Sequence, residues 1–144
     1  MRVKEIMTKE VVSIAPQASA MEAAKKMIKE KVGSLLVMEE GKLLGIISDR
    51  IIGLGVLVHA KDPRKARVCE FMREDVISVS PEMDLAKAAK ILEELEIRYL
   101  PVVDDQGKVV GILSISDIAC FVQRYIDCIL VELGARVKKR KVKD

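Results

Sequence analysis

The chain has 144 residues, a formal net charge of +3, and a composition that is 50% hydrophobic and 33% charged but only 3% aromatic. This apolar content excludes a wholly disordered chain, and the lack of Trp argues against the stacking platforms that bind single-stranded nucleic acid. No uncharged stretch approaches the roughly 20 residues of a membrane-spanning helix, and the charged N-terminus leaves no room for a signal peptide. We therefore expect a soluble, cytoplasmic protein.

Two further features of the composition support this expectation. The three cysteines, Cys69, Cys120 and Cys128, are odd in number and include no CxxC pair, which favours reduced thiols. The chain has no Asn and few Gln beside many Lys and Glu, a balance that resembles hyperthermophile proteins.

The chain is a tandem duplication. Segments of the first half recur 65 residues later, and the offset becomes 66 after one residue is inserted near Gln106. So many matches in the same order are the signature of an internal repeat. The matching segments are Val3–Met7 with Val68–Met72, Val11–Ile14 with Val76–Val79, and Gly45–Ser48 with Gly111–Ser114.

Each copy begins with the same predicted elements. A short β-rich run, 11–14 in the first copy and 76–79 in the second, is closed by a proline. The next helix begins at a capping box formed by Ser19 and Glu22 in the first copy, and at the N-cap Asp84 in the second.

Each copy also ends in the same way. Two strands around a tight turn predict a hairpin, and a second helix follows, so that each copy is β-α-β-β-α. The last helix of the second copy is predicted from about Ser116 to Leu133, whereas Gly53 and Gly55 weaken its counterpart in the first copy.

The duplication predicts one two-lobed domain. A unit of this size buries only about 60% of its unfolded surface, so alone it is marginal. We expect the two copies to pack sheet to sheet about a pseudo-twofold axis. The predicted parts are repeat 1 (1–60), a linker (61–67), repeat 2 with an extended last helix (68–134) and a basic tail (135–144).

Both copies resemble cystathionine-β-synthase (CBS) domains, which occur in tandem pairs. The resemblance covers Val3 to about Val122 and is carried by the order of three features. These are Val-x-Ser-x-x-Pro before the first helix of each copy, Leu100-Pro-Val-Val103, and Gly111-Ile-Leu-Ser-Ile-Ser-Asp117. The implied fold is an α/β (α+β) pair of repeats.

The resemblance also implies a ligand. The cleft of such pairs commonly binds AMP, ADP, ATP or S-adenosylmethionine, whose ribose is held by the Asp of Gly-h-h-Ser/Thr-x-x-Asp. Asp117 and Ser114 match this motif, and a carboxylate can accept hydrogen bonds from both ribose hydroxyls. In the first copy Ser48 matches, but Ile51 replaces the Asp and cannot accept a hydrogen bond. We expect a ribosyl ligand at the repeat-2 site and a weak, altered or empty repeat-1 site.

Other binding residues are assigned by the same resemblance. Ser78, with the main chain of Ile77, corresponds to the stretch that lines the base. Arg98 and Tyr99 precede Pro101 where family members reach into the cleft, and Arg98 could bind phosphate. The alternatives are a helix-capping acid at Asp117, an ordinary strand serine and a surface arginine. The expected set is Asp117, Ser114, Ile77, Ser78, Arg98, Tyr99 and Pro101.

No catalytic motif is present. His59 is the lone histidine, so we expect no metal site, no required cofactor and no enzyme. The resemblance implies a regulatory module that senses an adenosine derivative, forms a homodimer through its helices and acts on an unidentified partner. Two alternatives stay open: nucleic-acid binding through the basic tail from Arg136 to Lys143, and a structural interaction module with an empty cleft.

Overall fold

The computed structural model describes residues 1–134 of the chain. The first copy has the predicted order of elements, whereas the second copy lacks the initial strand. The first copy contains β1 (Ser13–Ile14), α1 (Ala20–Glu30), β2 (Ser34–Glu39), β3 (Lys42–Ser48) and α2 (Asp49–Val58). The second contains α3 (Leu85–Glu94), β4 (Tyr99–Val103), β5 (Val109–Ser114) and α4 (Ile115–Glu132), and 3-10 turns at Val3–Glu5 and Val68–Glu70 precede the two copies.

The predicted helix starts are confirmed. Ser19 Oγ accepts a hydrogen bond from the Glu22 amide at 3.0 Å, and Glu22 Oε2 accepts one from the Ser19 amide at 2.7 Å. In the second copy Asp84 Oδ1 accepts from the Ala86 amide at 2.8 Å. These bonds satisfy amides that have no partner inside the helix.

The strands are shorter at the start of each copy than the sequence predicts. In the first copy the predicted run 11–14 pairs only at Ser13–Ile14, parallel to β2, and β2 pairs antiparallel with β3. In the second copy the run 76–79 is wrong as a strand, because it makes a single parallel bridge from Val79 to Val102 beside the β4–β5 hairpin. Just before β1, Val12 O still accepts a hydrogen bond from the Leu36 amide of β2, at 3.2 Å.

The segment at the start of each copy packs on the other copy. Val3 is fully buried in the core of the second copy, whereas Val68 is fully buried in the core of the first. The amide of Val3 donates to Met83 O at 2.9 Å, and the equivalent amide of Val68 donates to Ala18 O at 2.8 Å. Two segments are therefore exchanged symmetrically, and neither core is complete without residues from the other half.

Both faces of each sheet are buried. Strand side chains alternate between faces, and Leu35 and Val37 of β2 point into the helix-covered core of the first copy. Leu36 points the opposite way and is still only 1% exposed, and Pro101 is its fully buried counterpart in β4. Since helices cover only one face, this burial indicates that the two sheets pack on one another, as the duplication predicts.

Candidate functional site

A cavity of about 620 Å³ lies between the two copies. We call it the Ile51 cavity, because Ile51 at the start of α2 is one of its walls. The first copy supplies the junction of β3 and α2, and the second supplies the segment after its 3-10 turn together with the loop between α3 and β4. Its lining includes Ser48, Asp49, Arg50 and Ile51 from the first copy, and Arg73, Asp75, Ile77, Glu96, Arg98 and Tyr99 from the second.

At the cavity wall formed by α2, the first backbone amides of the helix are hydrogen-bonded within the protein. Ser48 caps the helix, because its Oγ accepts from the Ile51 amide at 3.2 Å. The Asp49 amide donates to Gly33 O at 3.0 Å, and the Arg50 amide donates to Asp49 Oδ1 at 2.7 Å. The first three amides of α2 are therefore already bonded within the protein.

The equivalent position in the second copy, which we call the Asp117 corner, has a carboxylate in place of Ile51. Ser114 Oγ accepts from the Asp117 amide at 3.0 Å, while Asp117 Oδ2 accepts from the Ser114 amide and from Ser114 Oγ, both at 2.8 Å. This reciprocal capping box fixes the rotamer of the half-buried carboxylate at the start of α4.

The second oxygen of Asp117 bonds to the other half of the molecule. Thr8 Oγ1 donates to Asp117 Oδ1 at 3.1 Å. Thr8 is held there by a two-way backbone pairing with Ile112 of β5, with both N···O distances 2.9 Å. Its counterpart Arg73 pairs with Ile46 of β3 in the same way, at 2.9 and 3.0 Å.

The structure does not bring the predicted binding residues together in one site. Ile77, Arg98 and Tyr99 line the cavity opposite Ile51, whereas Asp117 and Ser114 are not among its lining residues. The reason is the exchange of segments, because the run after each 3-10 turn faces the β-α junction of the other copy. The stretch that faces Asp117 is thus the one around Thr8, so grouping the base-lining stretch 77–78 with Asp117 is wrong.

Two other assigned residues are not in the cavity lining. Pro101 is fully buried in β4 on the face that meets the other sheet, and its assignment as a ligand contact stays a prediction. Ser78 is exposed but does not line the cavity. Thr8 and Arg73 are residues that the sequence reasoning missed, although the 65-residue offset that pairs them was already visible in the repeat.

Within residues 1–134, no group of three or more His, Cys, Asp or Glu side chains is placed to hold a metal ion. None of the helices described is both long and apolar enough to cross a membrane. The basic tail, on which the nucleic-acid alternative depends, lies outside the described residues.

Comparison with known proteins identifies the class. The family model for the CBS domain matches residues 3–52 and 68–124, which is most of the chain and both repeats. The chain therefore belongs to the CBS domain family, and it carries a tandem pair.

Individual relatives agree with this assignment. The CBS domain-containing protein YhcV of Bacillus subtilis is 36% identical over 117 residues, which is 81% of this chain and 82% of YhcV. The solved CBS domain NE2398 superposes with a TM-score of 0.77 at 34% identity, covering 88% of this chain and 98% of that one. The CBS pair of protein MJ0100, solved with 5′-methylthioadenosine and S-adenosyl-L-methionine, has a TM-score of 0.77 at 32% identity, covering 87% and 98%.

Proposed function

We propose that this chain is a regulatory module that binds an adenosine derivative, AMP, ADP, ATP or S-adenosylmethionine, chiefly at the Asp117 corner. The observation that carries the proposal is the position of the Asp117 carboxylate. It lies at the junction of the two copies, is only half-buried, and accepts on Oδ1 one bond, from Thr8. A ligand bound there would contact both halves of the molecule.

The chemistry of this corner suits a ribose. A carboxylate oxygen has two lone pairs, so Asp117 Oδ1 can accept from a ribose hydroxyl in addition to Thr8. Hydrogen bonds to an ionised acceptor are the stronger kind. The N-terminus of α4, an 18-residue helix, adds a positive potential that favours a nearby phosphate or carboxylate.

The ligand class is supported by a relative. The MJ0100 pair, 32% identical to this chain, was solved with two molecules that both contain adenosine. A module of this kind regulates without catalysis, because a ligand changes the balance between two arrangements when it binds one of them more tightly. The unidentified partner of the module would respond to that change.

The proposal is tested by calorimetric titration with AMP and with S-adenosylmethionine. Asp117→Asn keeps the shape of the side chain but removes its charge, and we expect affinity for both ligands to fall by at least about tenfold, since a hydrogen bond to a charged group contributes about 1.5–3 kcal/mol. Asp84→Asn is the matched control, because it neutralises the N-cap of α3 outside the Ile51 cavity and the Asp117 corner.

Two results would contradict the proposal. The first is an unmodified chain, freed of small molecules, that binds neither ligand, which would favour a structural interaction module. The second is an Asp117→Asn variant that binds both ligands as tightly as the Asp84→Asn control.

We also propose that the chain forms a homodimer through its helices. The outer face of α4 carries large apolar side chains that nothing covers within residues 1–134, each at least 43% exposed. These are Val122, Ile126, Ile129 and Leu133. They recur at a spacing of three or four residues, so they form one stripe along the helix. An apolar stripe of this length is typical of an interaction surface.

A further inference from the structure

We propose that the Ile51 cavity is a second ligand site that binds a phosphate chain through Arg50, Arg73 and Arg98, without requiring the vicinal hydroxyls of a ribose. The ligand is a molecule with linked phosphates, either a nucleoside polyphosphate or inorganic polyphosphate. The inference rests on the proposed function, because it assumes that the clefts between the copies are ligand sites. It assigns this cavity a chemistry different from that of the Asp117 corner.

The Ile51 cavity and the Asp117 corner differ in charge at equivalent positions of the repeat. All three arginines line the cavity, and none has a basic residue at the equivalent position of the other copy. By the offset of the repeat, Arg73 corresponds to Thr8, Arg98 to Gly33 and Arg50 to Ser116. The two copies have therefore diverged, because one cleft has three guanidinium groups where the other has small or neutral residues.

The three guanidinium groups have no protein partner within residues 1–134 and can therefore bind a ligand. Within residues 1–134, none of the three arginines forms an ion pair or a side-chain hydrogen bond, although Asp49, Asp75 and Glu96 line the same cavity. A guanidinium can donate two parallel hydrogen bonds to one phosphate. Three guanidinium groups around one cavity offer several donors to linked phosphates, which would lie beside the arginines and away from Asp49, Asp75 and Glu96.

The N-terminus of α2 does not offer free backbone amides to an anion. The first three amides of α2 are bonded to Gly33, Asp49 and Ser48, so they are not free to bind an anion in the way that open helix N-termini do. Recognition of phosphate in this cavity therefore falls to the arginine side chains.

The Ile51 cavity has no carboxylate at the position where Asp117 would contact a ribose. Ile51 occupies the position of Asp117 and offers no acceptor for ribose hydroxyls, so removing those hydroxyls from a ligand removes no bond at this position. The volume of about 620 Å³ is within the range of roughly 300–1,000 Å³ that is typical of small-molecule sites. The Tyr99 ring and the Ile77 side chain give the cavity apolar walls for a base.

The test uses the full chain carrying Asp117→Asn, which isolates the Ile51 cavity. ATP, 2′,3′-dideoxy-ATP and inorganic tripolyphosphate are titrated in a calorimeter. We expect ATP and dideoxy-ATP to bind with affinities within about twofold of each other, and AMP to bind at least about tenfold more weakly than ATP, a difference of about 1.4 kcal/mol. Tripolyphosphate matching ATP would identify an inorganic chain as the ligand, whereas weaker binding of tripolyphosphate would identify a nucleotide.

Substitutions identify the groups responsible. Arg73→Thr and Arg98→Gln, each added to Asp117→Asn, are expected to weaken ATP binding at least about tenfold, because each removes a charge-assisted contact. Arg124→Gln on α4 is the control for loss of one positive charge and is expected to leave the affinity unchanged. Ile51→Asp is expected to create a preference for ATP over dideoxy-ATP.

Three results would overturn the inference: no binding of ATP or tripolyphosphate to the Asp117→Asn chain, a strong preference of that chain for ATP over dideoxy-ATP, or arginine variants that bind like the Arg124→Gln control. None of them bears on the proposed function, because that is judged by AMP and S-adenosylmethionine at the Asp117 corner. A chain that bound neither AMP nor S-adenosylmethionine at the Asp117 corner, but bound tripolyphosphate in the Ile51 cavity, would contradict the proposed function and support this inference.

Discussion

Two glycines in α2 differ in what surrounds them, and the difference can be measured. A Cβ at Gly55 would lie 2.5 Å from Cδ1 of Phe71, whereas a Cβ at Gly53 would meet nothing within 4 Å. We expect Gly55→Ala to lower the free energy of unfolding by about 1–3 kcal/mol, the usual cost of overpacking. Gly53→Ala is expected to raise it by about 0.5–1 kcal/mol, because alanine is the better helix former. Urea denaturation of both variants provides the measurement, and equal effects would contradict the packing assigned to Phe71.

At the residue scale, contacts between neighbours in the sequence were more predictable than contacts between the two copies. The hydrogen-bonded pair Ser114 and Asp117 lies within four residues of chain, so this contact could be predicted locally, whereas its role in ligand binding stays a prediction. Thr8 was not, because it reaches Asp117 across 109 residues of sequence, and neither residue carries a signal of that contact. Assigning Ile77 to the Asp117 site failed for the same reason, since only the exchange of segments determines which cleft each residue faces.

At the scale of elements, the N-terminal segment is tied to the second copy by a carboxylate. Glu82 forms ion pairs with Lys4, at 2.6 Å, and with Arg2. The hydrogen bond from Lys4, reinforced by Arg2, holds the pKa of the Glu82 carboxyl below its ordinary value of 4.5. A carboxyl whose pKa is lowered by folding stabilises the folded state above its ordinary pKa, and this stabilisation is lost as the pH falls through the lowered value.

We therefore expect Glu82→Gln to reduce stability slightly at pH 7 and to have no effect at a pH below the lowered pKa. The effect is small because the groups are solvent-exposed and therefore screened. Thermal unfolding of the two proteins between pH 7 and pH 3 provides the measurement. Glu93→Gln on α3, which removes a carboxylate that forms no ion pair within residues 1–134, is the control. A difference between Glu82→Gln and the parent that does not diminish as the pH falls would show that the pair is not the cause.

Helices were more predictable than edge strands for a physical reason. The starts of α1 and α3 are determined by local side-chain bonds at Ser19 and Asp84, which the sequence shows directly. The extent of the runs 11–14 and 76–79 depends on where each segment leaves its sheet for the other copy. Gly45 and Gly111 permit that crossing, because a Cβ at either position would lie within 3 Å of the exchanged backbone, at Arg73 O or Thr8 O.

At the scale of the whole molecule, the exchange makes the two copies depend on each other. The first core contains Val68 and the second contains Val3, so a boundary drawn between the repeats in chain order separates each core from one of its buried residues. The duplication predicted a two-lobed domain with pseudo-twofold symmetry. It could not predict the exchange, because a segment that packs on its own copy and one that packs on the other have the same sequence.

The proposed dimer, in which a second copy of the chain covers α4, can also be tested at the scale of the whole molecule. The helix is about 27 Å long at 1.5 Å per residue, and its apolar stripe is exposed at Val122, Ile126 and Ile129. A charge in the centre of a buried apolar interface has no partner and is strongly unfavourable. Ile126→Glu is therefore expected to convert the dimer into a folded monomer, as measured by light scattering after size-exclusion chromatography.

Arg124→Gln is the matched control for this test, because it changes the net charge by the same amount on another side of α4. We expect it to leave the dimer intact, since its side chain does not belong to the apolar stripe. An Ile126→Glu chain that remains dimeric would exclude the stripe as the interface. A dimer held by this stripe would leave the Ile51 cavity and the Asp117 corner in every protomer, and a ligand that altered the angle between the copies would then change the shape of the whole assembly.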